Sequence, residues 1–236
     1  MGNVMDNYSE VHGRRMKFLL GLVKEYHKEG GRIGDIGISP FSCICSSEFG
    51  SNSFYSIIPD ESFKKKEIEC FDQLNFFIGD ITRKEQVLNK EGRISNSEGF
   101  DIIVFSEVLE HLFSDDLTVL VNIRTLLKDD GILLLTVPNI SSLWNRIRLL
   151  FGKNVLGSKH EIINGVYGGY GHIREYTFKE TLQLLSESGY KVVRKLGFNG
   201  YGPRNGIGKI LNALLKIFPM SFSFHIVCVA TRGDLS

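Results

Sequence analysis

The chain has 236 residues, enough for one α/β domain with additions, and its 42% apolar and 23% charged composition excludes a disordered or fibrous protein. A formal net charge of +1 excludes a uniformly basic surface that would bind nucleic acid through charge alone. No apolar run reaches the ~18–20 residues of a membrane span.

In chain order, Ser9–Lys28 has helical spacing, with Met16, Leu19, Leu20, Val23 and Tyr26 facing a core. Arg32–Ile36 reads as a first strand, left by the turn Gly37-Ile-Ser-Pro40, and Phe41–Glu48 as a short helix. Ser53–Ile58 is a second strand stopped by Pro59-Asp60, and Glu61–Cys70 a charged helix. Leu74–Ile78 is a third strand ended by Gly79-Asp80. A helix over Thr82–Asn89 and a polar loop over Lys90–Gly99 follow. Asp101–Phe105 is a short apolar run suited to a strand buried on both faces. Ser106 is placed to cap a helix on which Glu107, Glu110 and His111 share one face at i, i+3 and i+4. Leu117–Leu127 is helical, Asp129-Asp130-Gly131 a turn, and Ile132–Val137 a fifth strand. Beyond Asn139 come a helix over Leu143–Phe151 and a glycine-rich segment, Gly152–Gly171. A capping-box helix runs from Thr177 to Ser188. A strand over Tyr190–Leu196, an amphipathic helix over 207–218 and a strand over Phe222–Thr231 complete the chain.

Strands alternating with helices at this spacing predict an α/β fold: a Rossmann-like, largely parallel seven-stranded sheet with helices on both faces. A helical lead-in over 1–31 would precede an α/β core over 32–139, with 140–236 building the acceptor side of the same domain. Cys43, Cys45, Cys70 and Cys228 have neither a CxxC pair nor zinc-ligand spacing. With no signal peptide, the expectation is reduced thiols in a cytoplasmic protein. From Ser188 to Gly233 there are seven Lys/Arg and no Asp or Glu. That imbalance suits an anionic partner or a membrane surface.

Ligands of open α/β sheets bind outside the carboxyl ends of the strands, and the first four strand ends here each carry an acid. Asp35-x-Gly37 lets backbone approach a ligand while the acid fixes an amine; an ordinary strand–helix turn is the alternative. Asp60, or Glu61 beside it, can accept from both hydroxyls of a ribose, or merely cap a helix. Asp80 can accept from an exocyclic amine with Ile81 covering a purine face, or serve a turn.

Together GDIG (34–37), IGDI (78–81), FDIIVFSEVLEHL (100–112), LLKDDGILLLTVPN (126–139) and GHIREYTFKETLQLLSESGYKV (171–192) resemble class I S-adenosylmethionine-dependent methyltransferases. The resemblance implies a methyltransferase using S-adenosyl-L-methionine. Asp35 and Gly37 would contact the methionine part, Asp60 the ribose, and Asp80 with Ile81 the adenine, with Ser106 among the cofactor contacts. The chain departs from the family turn at Ser39 and Phe41, where further glycines are usual.

Glu107-x-x-Glu110-His111 followed by His172 is similar to the cation site of small-RNA 2′-O-methyltransferases and to ubiquinone-pathway O-methyltransferases. Carboxylates plus imidazoles suit a divalent cation such as Mg²⁺, which would orient an acceptor hydroxyl and lower its pKa. Glu107, Glu110, His111 and His172 are therefore the candidate ligands, and His172, Glu107 and His111 the candidate catalytic groups. His172 alone could act as general base. The expected acceptor is a small molecule or glycan. Rival readings are an N- or C-methyltransferase of the same fold and a non-catalytic cofactor-binding module. A Rossmann oxidoreductase lacks its phosphate-cradling glycines.

Overall fold

The computed structural model describes residues 4–63, 70–83, 99–164, 171–199 and 219–233. Helix α1 (Val4–Tyr26) leads into β1 (Ile33–Ile36), α2 (Pro40–Phe49), β2 (Phe54–Ile58), β3 (Asn75–Ile78) and β4 (Phe100–Ser106). Then come α3 (Asp116–Leu126), β5 (Leu127–Pro138), α4 (Leu143–Leu150), α5 (Lys159–Asn164), α6 (Phe178–Glu187), β6 (Tyr190–Phe198) and β7 (His225–Arg232). One seven-stranded sheet has the order β3-β2-β1-β4-β5-β7-β6, parallel except for β7, which runs antiparallel to both neighbours. This is the predicted Rossmann-like α/β fold.

Every residue of β1 is buried, as a strand covered on both faces requires. Gly34 permits this packing: a Cβ there would meet Ile57 Cδ1 at 2.7 Å. One face of the sheet carries α1 and α2 through Met16, Leu19, Val23, Phe41 and Cys45; the other carries α3 and α6 through Val119, Leu120, Ile123, Phe178 and Leu185. Strand order reverses between β1 and β4, which opens a crevice at their carboxyl ends.

Four expectations need correction. No α-helix starts directly at the end of β4. Ser106 is its last residue, Glu107 N–H still donates to the Thr136 carbonyl, and only a 3₁₀ turn, Leu109–His111, comes next. The Ser106 hydroxyl caps nothing and instead bonds Thr136 Oγ1 at 2.8 Å. The turn expected at 129–131 lies inside β5, where the pairing with β4 shifts register. Cys43 and Cys70 are not reduced but joined in a disulfide, their Cα atoms 5.6 Å apart, within the usual spacing for a bridge. Cys45 and Cys228 are free and buried. After β2, 3₁₀ turns over Glu61–Phe63 and Phe71–Gln73 are described. Residues 64–69 of the helix expected over Glu61–Cys70, nearly all of the 82–89 helix and the 207–218 helix lie outside the described residues.

Candidate active site

The crevice at the strand reversal holds a cavity of about 190 Å³. Its walls are Asp35 of β1, the turn after it (Gly37, Ser39), the end of β4 and the residue beyond it (Ser106, Glu107) and Arg15 from α1. Gly37 has φ +101°, a conformation other residues rarely adopt, and a Cβ there would meet no other atom within 4 Å. The loop therefore turns on one glycine. Ser39 supplies what the missing glycines do not, by capping α2 in a box with Ser42. Ser39 N–H donates to Ser42 Oγ at 3.0 Å, and that hydroxyl donates to Asp35 Oδ2 at 2.7 Å. Burial pushes the Asp35 carboxyl up to about 7, against the lowering pull of Ser42 and Arg15. Phe41, in place of the last family glycine, packs into the core and lines the cavity.

Glu107 has φ 56°, the sole left-handed non-glycine among the described residues. Such strain persists where surrounding contacts fix it. Here Glu107 Oε2 meets Arg15 Nη1 at 2.9 Å and His225 Nε2 at 3.1 Å, while Oε1 accepts from Thr136 Oγ1 at 2.9 Å. Burial alone would raise this carboxyl; His225, Arg15 and Thr136 outweigh it and hold Glu107 well below the usual carboxylate range. His12 stands one turn before Arg15, its pKa lowered to about 4 first by burial and then by the Arg15 charge.

Three residues further on, Glu110 faces elsewhere. Its carboxylate is fully buried, and neither oxygen has a hydrogen-bond partner. Burial first and the Glu107 charge second push its pKa well above normal. His111 Nε2 lies 3.8 Å and His172 Nε2 4.0 Å from Glu110 Oε1, with the two imidazoles edge to face at 4.9 Å. Glu110, His111 and His172 each offer one ligand atom, all within 4.8 Å of one another. Ile173 N–H donates to the Glu110 carbonyl at 2.8 Å and fastens the His172 segment there. On the far side of the ring, His172 Nδ1 meets Glu175 Oε1 at 2.8 Å.

Of the four candidate ligands the structure thus groups three. Glu107 is excluded, because its left-handed turn sends the carboxylate to Arg15 and His225. Asp35, Gly37, Ser106 and Glu107 share the cavity, whereas Asp60 and Asp80 do not line it. Asp60 is exposed beyond β2, its Oδ1 accepting from Ser62 N–H and Oγ, which lowers its pKa. Asp80 accepts from Thr82 N–H and Oγ1. Ile81 is buried in the core, its carbonyl accepting from Asn122. Sequence reasoning missed Arg15, Glu175 and His225. Arg15 stands beside the predicted apolar positions of α1, and Glu175 sits three residues after His172. Nothing local marks His225.

A carboxylate-lined crevice at the strand reversal of a 3-2-1-4-5-7-6 sheet is the architecture of the S-adenosylmethionine-dependent methyltransferase fold. A family described as a methyltransferase domain matches residues 35–195, and the chain belongs to it. The protein is a methyltransferase. Among solved structures, the fold is shared with a SAM-dependent methyltransferase from Archaeoglobus fulgidus at 16% identity and TM-score 0.60, covering 95% of this chain and 97% of that one. It is shared with a Clostridium acetobutylicum S-adenosylmethionine-dependent methyltransferase at 11% and 0.59, covering 97% of each chain. A Thermotoga maritima enzyme, described as a possible histamine N-methyltransferase, matches at 17% and 0.58, covering 98% of this chain and 95% of that one. No curated protein matches the sequence significantly.

Proposed function

We propose that the protein transfers the sulfonium methyl of S-adenosylmethionine to an oxygen of a small-molecule or saccharide acceptor, with a divalent cation at Glu110, His111 and His172. The observation that carries this reading is Glu110, a buried carboxylate with two unpartnered oxygens beside two imidazoles. A buried carboxylate is ordinarily paired or ligated, so this donor set fits a cation with open positions. Such an ion polarises a hydroxyl and lowers its pKa. The chain's own residues do the rest. Glu175 holds the His172 ring so that Nε2 faces Glu110.

The cavity fits the amino-acid end of the cofactor. Arg15 faces the carboxylate and Asp35 the ammonium, with Gly37 leaving room for backbone contact. With both acids ionised, Arg15, Asp35 and Glu107 sum to −1, which complements the +1 of the zwitterionic sulfonium. The adenosine end extends past β2 and β3, where Asp60 would take the ribose and Asp80 with Ile81 the adenine. Residues 140–236 form the acceptor side.

Transfer of labelled methyl to a panel of hydroxylated acceptors, on metal-stripped protein with and without added Mg²⁺ or Mn²⁺, tests the reading. Full activity in EDTA ends the cation and leaves His172 as general base. Methyl appearing on amine nitrogen instead establishes an N-methyltransferase. No binding of S-adenosylhomocysteine even at millimolar concentration establishes a non-catalytic module, which Phe41 in the cavity wall would explain.

A further inference from the structure

The stretch between β5 and α6 carries a surface that neither cofactor nor cation explains. From Ile140 to His160 it contains Arg146, Arg148, Lys153 and Lys159 and no acid. None of the side chains of α4 is buried, although Leu143, Ile147 and Leu150 recur at helical spacing. An amphipathic helix of a globular protein ordinarily turns its apolar stripe into the core. Here Leu149, Leu150 and Phe151 are 55%, 82% and 74% exposed, and Leu156 and Ile163 stand near them in sequence at 48% and 55%. Neighbouring exposed apolar side chains among cations mark an interaction surface. Among the described residues these cations form no ion pairs. Arg146 donates to the Ser141 carbonyl and stacks 4.6 Å from the Phe222 ring, and Arg148 donates to the Asn154 carbonyl.

We infer that this segment docks on an anionic lipid bilayer. Leu149, Leu150 and Phe151 enter the interface, and Arg146, Arg148, Lys153 and Lys159 meet the headgroups. Charge decides between occupants. A second copy seated on the same patch would set two Arg/Lys-rich surfaces face to face, which symmetric pairing disfavours. A polyanion without an apolar phase would leave Leu150 and Phe151 in water. Only a bilayer takes both. The segment leaves β5 at Pro138 and returns to the sheet's carboxyl edge where Ile173 meets Glu110. Docking there puts the lipid surface next to the acceptor side of the fold. The inference is independent of the cation and of the acceptor's chemistry.

Flotation of the full chain with phosphatidylcholine vesicles, with and without phosphatidylglycerol, tests it. The expected result is binding to the phosphatidylglycerol vesicles only, weakening as salt rises. Arg148→Gln should lower partitioning about fivefold. Leu150→Glu and Phe151→Glu should each lower it about tenfold or more, with unchanged melting temperature because both side chains are exposed. Absence of binding, equal binding to both vesicle types, or binding unaffected by Leu150→Glu and Phe151→Glu would overturn the inference. So would a solution dimer that Leu150→Glu dissociates without any vesicle binding.

Discussion

If the cavity takes the amino-acid end of the cofactor as proposed, Asp35 gives it a measurable proton count. It is wholly buried, and burial pushes its carboxyl up to about 7 despite Ser42 and Arg15. A ligand ammonium placed beside it favours the charged form, so binding should expel the proton that the empty site holds. At pH 7 that is about half a proton per site, rising toward one near pH 6 and vanishing near pH 9. Calorimetric titration of S-adenosylhomocysteine in buffers of different ionisation enthalpy reads the number. Comparison with Asp35→Asn isolates Asp35 from the ligand's own amine. Asparagine still accepts from Ser42, so the loop should survive while affinity falls roughly ten- to a hundredfold, for a lost charged hydrogen bond of about 1.5–3 kcal/mol. Stability carries the opposite sign. A carboxyl whose folded pKa is raised binds extra protons in the native state, so its contribution declines as pH rises from about 4 to about 7 and is flat above. The decline amounts to at most ~4 kcal/mol. Asp35→Asn should lack this decline and therefore gain on the native protein at pH 8. Equal proton release from both proteins would refute the placement of Asp35 against the cofactor amine, and identical pH–stability profiles would refute its raised pKa.

Glu175→Gln should weaken Mg²⁺ or Mn²⁺ binding about ten- to a hundredfold by freeing the His172 ring, while S-adenosylhomocysteine affinity stays constant; unchanged metal affinity would make the His172–Glu175 contact merely structural. Gly37→Asp should lower S-adenosylhomocysteine affinity with only a modest loss of melting temperature, about 1–2 kcal/mol for the backbone conformation, because a Cβ there meets open space. The Cys43–Cys70 bridge spans 27 positions, and its removal by Cys43→Ser with Cys70→Ser should cost about 3–4 kcal/mol in thermal unfolding. A melting temperature indifferent to dithiothreitol would show the bridge absent in solution.

The fold was legible because its signals are local: buried runs such as Asp101–Phe105 and turn residues just past strand ends settle five parallel strands before any contact is known. Register was less so. Asp129-Asp130-Gly131 has turn chemistry, yet pairing with β4 carries it into β5 at the cost of a shifted register. The disulfide was illegible because Cys43 and Cys70 sit on different elements, and only the packing of α2 beside the chain entering β3 brings them within reach. His225 is hidden for the same reason. It comes last in the fold yet stands against Glu107, because β7 runs antiparallel and starts at the edge where β4 ends.

The ExxEH pattern shows how far spacing alone can mislead. On a helix, Glu107, Glu110 and His111 would share one face and one ligand. The sheet wins instead: Glu107 N–H stays bonded to the β5 carbonyl of Thr136, so the chain leaves the strand one residue late and must turn through a left-handed residue. That turn divides the motif between two environments. Glu107 goes to the cavity at the strand reversal, where a guanidinium and an imidazole keep it charged. Glu110 goes to the two histidines, where burial and the nearby Glu107 charge disfavour ionisation. The two carboxylates are thus coupled: removing the Glu107 charge lowers the cost of ionising Glu110.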